Sequence, residues 1–240
     1  MSRILNISTY RFVSINDPDA VKTRLLPHAQ ALGLKGTILL AHEGINAFLA
    51  GAETAVRSFL AILDDDERFL NLDVKESWSD TVPFRKMLIK VKSEIIAFRQ
   101  DGLNPSEAPA PAMSAAELKA RLDRGEDIVL LDTRNDVEVE TGTFKNAVFW
   151  GNKNFTEFAD VAKARVGELG NKTVVSFCTG GIRCEKAAPF LKSLGAGNVY
   201  QLQGGILKYF EEVGRDHYEG DCFVFDERAA VDPGLAPTSR

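Results

Sequence analysis

The sequence predicts a two-part α/β protein: an antiparallel α+β sandwich, followed by a parallel sheet covered by helices on both faces. Three observations carry this reading. The N-terminal part alternates short apolar strands with two helices in the order β-α-β-β-α-β. The stretch DGLNPSEAPAPA at 101–112 then breaks all periodicity, as an extended, semi-rigid linker does. Beyond it, nearly continuous runs of apolar and β-branched residues alternate with helical segments, the pattern of strands buried on both faces. Domains are therefore expected at 1–104 and 105–220, with 221–240 as a C-terminal strand and flexible tail.

In order along the chain, LNISTYRFV reads as a strand. Asp17-Pro18 supplies an N-cap and a first-turn proline for a helix running towards Gly33, which Pro27 should kink or split. GTILLA and INAFLAG are two strands joined tightly at HEG, and AETAVRSFLAILD is an amphipathic helix. FRKMLIKVKSEIIAF alternates as the closing strand, which makes the half a ferredoxin-like arrangement. After the linker, Ser114 and Glu117 have capping-box spacing for a helix over 114–124. Strand IVLLD follows, then a helix near 155–169, strand TVVSF, a helix over 183–194 ending at Gly195, strand NVYQL and a last helix in GGILKYFEEVG. The final AAVDPGLAPTSR reads as a frayed tail.

Composition narrows the function classes. With 45% hydrophobic and 26% charged residues the chain can bury an ordinary globular core. A formal net charge of −5 excludes a histone-like mode of nucleic-acid binding but not a local basic patch. Three cysteines, an odd count, make no disulfide framework and fit a reducing compartment. The opening MSRILNISTYRFVSINDPD shows no leader pattern, and no apolar run approaches the roughly 18 residues of a membrane span. The expected compartment is the cytoplasm; nothing in the composition sets an oligomeric state.

The segment with most chemistry is FCTGGIRCEKAAPF at 177–190. Cys178 ends a strand of a parallel sheet, where ligands bind, and a helix begins just beyond it. Gly180 and Gly181 can take positive φ, so that the N–H groups of the loop Thr179, Gly180, Gly181 and Ile182 converge on the sulfur. The helix N-terminus and Arg183 add positive charge, and each contribution favours thiolate over thiol. The plainer reading is a small residue at a strand end with glycines turning the chain.

Cys178-Thr-Gly-Gly-Ile-Arg183 resembles the active loop of rhodanese domains, a cysteine followed five positions later by arginine. LLDTRNDVEVETGTFKNAVF resembles the Asp-x-Arg, glutamate and Gly-His-Ile-x-Gly-Ala signature of the same fold, with Thr143 where a histidine is usual. QLQGGILKY resembles its closing Gly-Gly turn. Taken with the HEGIN turn and CFVFDER, these motifs resemble the rhodanese-containing tRNA uridine(34) hydroxylases from about residue 5 to about residue 228. The resemblance implies a rhodanese-like second domain and oxygen-dependent 5-hydroxylation of the wobble uridine, with Cys178 reactive, molecular oxygen as co-substrate and tRNA as partner. In some members a cysteine-rich segment follows the FDER motif; it is not expected here, twelve residues after Arg228.

The residues themselves leave a second function open, a sulfurtransferase or persulfide carrier built on the same loop. No cofactor or metal site is evident: His28, His42 and His217 are scattered, and no dinucleotide fingerprint occurs. Asp132 and Arg134 should form an ion pair that holds the loop wall. Cys184 is either a packed small residue or a resolving thiol for oxidised Cys178, and Cys222 belongs to the core. His42, Glu43 and Asn46 make either a polar hairpin with Gly44 left-handed or a contact to RNA or to the Cys178 loop. Lys86, Lys90 and Lys92 should share one strand face opposite Met87, Ile89 and Val91, either as a solvated stripe or as a phosphate-binding one for the anticodon arm.

Overall fold

A computed structural model describes residues 3–238. The chain forms two compact units, Met1–Ile96 with Phe225–Arg228, and Ala97–Val224 with Ala229–Arg240.

The first unit contains β1 (Ile4–Phe12), α1 (Pro18–Ala31), β2 (Lys35–Ala41), β3 (Gly44–Gly51), α2 (Glu53–Asp64), β4 (Val74–Ser79) and β5 (Met87–Val91). Its sheet runs β4-β1-β3-β2-β5. The first four strands are antiparallel to their neighbours and give the ferredoxin-like arrangement. Its closing strand is β4, not the basic segment expected in that place. That segment is shorter than expected and forms β5, a fifth strand added parallel to β2 at the edge. The strand VKESWS hid behind its polar residues. Lys75 in fact points inward, only 4% exposed, with its ammonium 2.7 Å from Asp73 Oδ2 and over the Tyr10 ring.

Both helices of this unit bury one face at helical spacing. Val21, Leu25 and Ala29 of α1 join Val56, Phe59 and Leu63 of α2 against Leu5, Ile7, Ile38 and Leu49 of the sheet. Each large side chain so buried contributes about 1.5–3 kcal/mol. Helix α1 runs through Pro27 without splitting, because the proline lies in the last turns and only one internal hydrogen bond is lost before Leu32 N–H closes the helix on His28 O. Asp17 occupies the N-cap, but its carboxylate accepts from Arg68 Nη1 at 3.2 Å rather than from the helix.

The second unit contains β6 (Ala112–Met113), α3 (Ala115–Asp123), β7 (Ile128–Asp132), α4 (Asp136–Thr141), β8 (Gly142–Phe144), β9 (Val148–Phe149), α5 (Phe155–Arg165), β10 (Thr173–Phe177), α6 (Ile182–Ser193), β11 (Asn198–Leu202), α7 (Gly205–Val213), β12 (Tyr218–Gly220), β13 (Cys222–Phe223) and β14 (Ala230–Val231). Its main sheet runs β6-β11-β10-β7-β9 with every pair parallel. Ser114 Oγ accepts from Glu117 N–H at 3.1 Å and starts α3, as the capping-box spacing requires. Phe144 meets Phe177, Tyr209 and Tyr218 edge-on and centres the core beneath the sheet. The C-terminal stretch is not frayed within the described residues: β13 pairs with β14, and Asp232 Oδ1 accepts from Gly234 and Ala236 N–H. Ser239 and Arg240 lie outside those residues.

Candidate active site

β10 is the central strand of the parallel sheet, and Cys178 is the first residue beyond its carboxyl end. The chain then turns through Thr179, Gly180 and Gly181 into α6, whose first residues are Ile182 and Arg183. Gly181 takes the left-handed conformation at φ 96° and donates its N–H to Cys178 Sγ at 3.1 Å. Gly180, expected to share that conformation, is not among the left-handed glycines. One such residue suffices to turn the N–H back onto the sulfur.

Cys178 is fully buried. Burial by itself pushes its thiol up, but four interactions outweigh it: the neighbouring Cys184 thiol, the Arg183 charge, and the N–H groups of Arg183 and Gly181 bring the pKa down to about 6. Cys184, equally buried, moves the other way: burial and the adjacent Cys178 sulfur raise its thiol well above the ordinary range. Cys178 is thus the thiolate of the pair, and Cys184 keeps its proton. Alkylation of Cys178 followed against pH should have its midpoint at about 6. Arg183→Gln, which removes the charge and keeps a donor for its partner, should shift that midpoint upward; an unchanged profile would assign the arginine another purpose.

That partner is Glu138. Its Oε2 and Oε1 lie 2.6 and 2.7 Å from Arg183 Nη1 and Nη2. The same carboxylate accepts from Thr179 Oγ1 at 3.1 Å and from Asn135 N–H at 3.1 Å. Burial alone pushes this carboxyl up; the Arg183 charge and hydrogen bonds and the Asn135 N–H override it and hold it below the usual carboxylate value. Glu138 was absent from the residues singled out in the sequence. Its signal is Asn135-x-x-Glu138 spacing at the start of α4, inside the Asp-x-Arg-then-glutamate pattern.

Asp132 and Arg134 form the expected ion pair. Arg134 Nη2 lies 2.7 Å from Asp132 Oδ2 with both side chains fully buried, and it also donates to Gly142 O at 2.6 Å. Thr143, in the place where a histidine is usual, donates its hydroxyl to Asp132 Oδ2 at 2.8 Å and keeps that carboxylate satisfied. Thr133, between the pair, donates both N–H and Oγ1 to Phe177 O at 3.0 Å, which ties the wall to the strand that ends in Cys178. Cys222 is buried in the core, its thiol pushed up to about 12 by burial.

The other side of the loop rests on the start of α7. Ile206 and Leu207 N–H donate to the Cys178 and Thr179 carbonyls at 2.9 and 3.0 Å. Gly205 makes this possible: at φ 66° its missing Cβ would lie 2.4 Å from Cys178 O, 2.6 Å from Gly181 N and 2.7 Å from Thr179 O. All three are backbone atoms and cannot swing aside. Gly205→Ala is expected to displace the loop, costing roughly 1–3 kcal/mol of stability and more of activity; a thermal melt and an activity assay at wild-type values would show that the loop tolerates the intrusion.

His42, Glu43, Asn46 and the three lysines lie in the first unit. There His42 Nδ1 donates to Ile15 O at 2.8 Å, Glu43 Oε1 accepts from Ile95 N–H at 2.7 Å and Asn46 Nδ2 donates to Ile95 O at 3.1 Å. The turn therefore clamps residue 95 from both sides. Gly44 is required at φ 150° because a Cβ would lie 2.1 Å from Arg11 O. Lys86, Lys90 and Lys92 are all exposed, with Ile89 buried and Met87 and Val91 half-buried on the opposite face of β5. Among the described residues no group of three or more His, Cys, Asp or Glu side chains is placed to hold a metal ion, and no helix is long and apolar enough to cross a membrane.

Comparison with known proteins fits this geometry. Residues 4–95 match the UPF0176 acylphosphatase-like domain and residues 114–212 the rhodanese-like domain. The chain is 56% identical to the tRNA uridine(34) hydroxylase of Delftia acidovorans (strain DSM 14801 / SPH-1), over 99% of this chain and 92% of that one. It belongs to the tRNA uridine(34) hydroxylase family. The family member of Variovorax paradoxus (strain S110) is 55% identical over 98% of this chain and 92% of its own length. A solved rhodanese-like domain from Anabaena sp. is 24% identical, with a TM-score of 0.39 over 46% of this chain and 79% of that one. In this hydroxylase-family chain the Cys178 loop lies within the rhodanese-matching residues and the lysine edge within the N-terminal domain match.

Proposed function

We propose that the protein uses molecular oxygen to hydroxylate C5 of uridine 34 in the anticodon arm of tRNA, in the cytoplasm, with Cys178 as the nucleophile. The observation behind this reading is the Cys178 sulfur held 3.1 Å from Gly181 N–H at the start of α6, which carries Arg183, in a chain 56% identical to a named tRNA uridine(34) hydroxylase. Uracil is a poor nucleophile at C5. Addition of the Cys178 thiolate to C6 turns C5 into an enolate carbon, which takes up molecular oxygen; one oxygen atom stays on C5, the other leaves as water with two electrons from a thiol reductant, and loss of the C5 proton with departure of the thiolate restores the ring. Arg183 engages Glu138 through both terminal nitrogens. Sulfur transfer stands second, because the likeness to named hydroxylases runs over 99% of this chain and not over the loop alone. Nucleosides from tRNA of a deletion strain decide between them: loss of 5-hydroxyuridine derivatives supports hydroxylation, whereas altered thiolated nucleosides support a persulfide carrier.

An acidic chain must hold an anionic substrate through a local surface. The exposed Lys86, Lys90 and Lys92 supply one, and in this reading they contact backbone phosphates without reading sequence. Lys90→Ala with Lys92→Ala should weaken tRNA binding and lower the log–log salt slope by about 1 for each lost contact. Unchanged affinity and slope would make the edge a solubilising one.

A further inference from the structure

Replacing C–H by C–OH with molecular oxygen consumes two electrons beyond those of the substrate, because the second oxygen atom leaves as water. The structure buries two free cysteines at the turn from β10 into α6, Cys178 and Cys184. Cys184 lies in the first turn of α6, its N–H on Gly181 O at 3.0 Å while Gly181 N–H points back to Cys178 Sγ at 3.1 Å, and its own sulfur is 3.7 Å from Thr133 Oγ1. Thr133 Oγ1 donates to Phe177 O and so is itself anchored. Both cysteines are fully buried, which protects them from casual oxidation. A thiolate beside a thiol that keeps its proton is a nucleophile and an electron-and-proton donor in one place.

We propose that Cys178 and Cys184 together are the two-electron reductant of the hydroxylation; this rests on the reading of Cys178 given above. The Cys178 sulfur bonds to C6, and the C5 enolate takes oxygen and a proton to give a C5 hydroperoxide. The Cys184 sulfur takes the terminal oxygen: the O–O bond breaks, C5–OH remains and Cys184 becomes a sulfenic acid. Loss of the C5 proton breaks the C6–S bond and frees the Cys178 thiolate. That thiolate attacks the Cys184 sulfur, hydroxide leaves and a Cys178–Cys184 disulfide forms. The sum is uridine, oxygen and two thiols giving 5-hydroxyuridine, one disulfide and water. Oxygen is reduced, and C5 and the two sulfurs are oxidised. An external dithiol resets the pair by exchange.

The test uses fully reduced protein, excess unmodified tRNA and dissolved oxygen, with no added reductant. After quenching and alkylation, 5-hydroxyuridine and the cysteine peptides are quantified by mass spectrometry. The expected result is a burst of no more than about one 5-hydroxyuridine per chain, matched by a peptide pair linked through Cys178 and Cys184, with Cys222 free; added dithiol restores turnover. Cys184→Ser should abolish the burst, because a serine hydroxyl cannot take the terminal oxygen or close a disulfide, while binding tRNA normally. Repeated turnover without reductant, product formed with both thiols still free, or a linkage to Cys222 overturns the proposal and leaves the hydroxylase reading standing. No 5-hydroxyuridine even with added dithiol overturns both. Should Cys184→Ser fail to fold, the wild-type stoichiometry alone decides.

Discussion

Cys178→Ser is expected to fold like the wild type and to form no detectable 5-hydroxyuridine, a loss on the order of 10³-fold or more. Serine fits the space of the fully buried thiol and can accept the Gly181 N–H. Its hydroxyl stays protonated where the cysteine, at about 6, is already a thiolate. The Arg183 charge and the loop N–H groups stabilise the thiolate and cannot make serine comparably acidic. Circular dichroism and melting confirm the fold, and nucleoside mass spectrometry reads the product. Substantial residual hydroxylation by a folded Cys178→Ser protein would remove the thiolate from the mechanism.

Glu138→Ala is expected to be the most destabilising single change in the site. It leaves the Arg183 guanidinium, 7% exposed, without its carboxylate and takes the shared acceptor from Thr179 Oγ1 and Asn135 N–H. Breaking a buried pair on one side costs about 3–5 kcal/mol, which for a protein of this size lowers Tm by roughly 6–20 °C. The double variant Glu138→Leu with Arg183→Met should recover most of that stability, because neither charge is left alone, yet should not recover activity. A double variant as unstable as Glu138→Ala would mean that the pair itself, rather than an uncompensated charge, holds the loop.

Much of this was legible in the residues. The parallel sheet followed from the continuous apolar runs IVLLD, TVVSF and NVYQL, and the position of Cys178 followed from the rule that such sheets present their sites at strand carboxyl ends. The Asp132–Arg134 wall was readable because two charges closing an apolar strand have few ways to be buried except together. What was missed shares one cause, polar residues satisfied only by tertiary partners. VKESWS looks unlike a strand until Lys75 is seen paired to Asp73. Glu138 looks like one acid among several in NDVEVE until Arg183, 45 positions away, is seen to grip it. Gly205 looks like a turn glycine, and only the approach of the Cys178 and Thr179 carbonyls shows why a side chain there is excluded. The basic edge was found, but in the wrong place in the sheet. Strand alternation reports which face is buried and not which neighbour a strand pairs with.

In the proposed reaction Cys178 directs an atom of molecular oxygen to C5 of uridine 34. The most direct measurement incubates purified protein with unmodified tRNA, a dithiol and isotopically heavy oxygen gas, and reads the nucleosides by mass spectrometry. The expected product is 5-hydroxyuridine at position 34 carrying one heavy oxygen atom with the wild type, and none with Cys178→Ser. Hydroxyl oxygen drawn from water, product formed equally by Cys178→Ser, or a sulfur-bearing nucleoside in its place would contradict it.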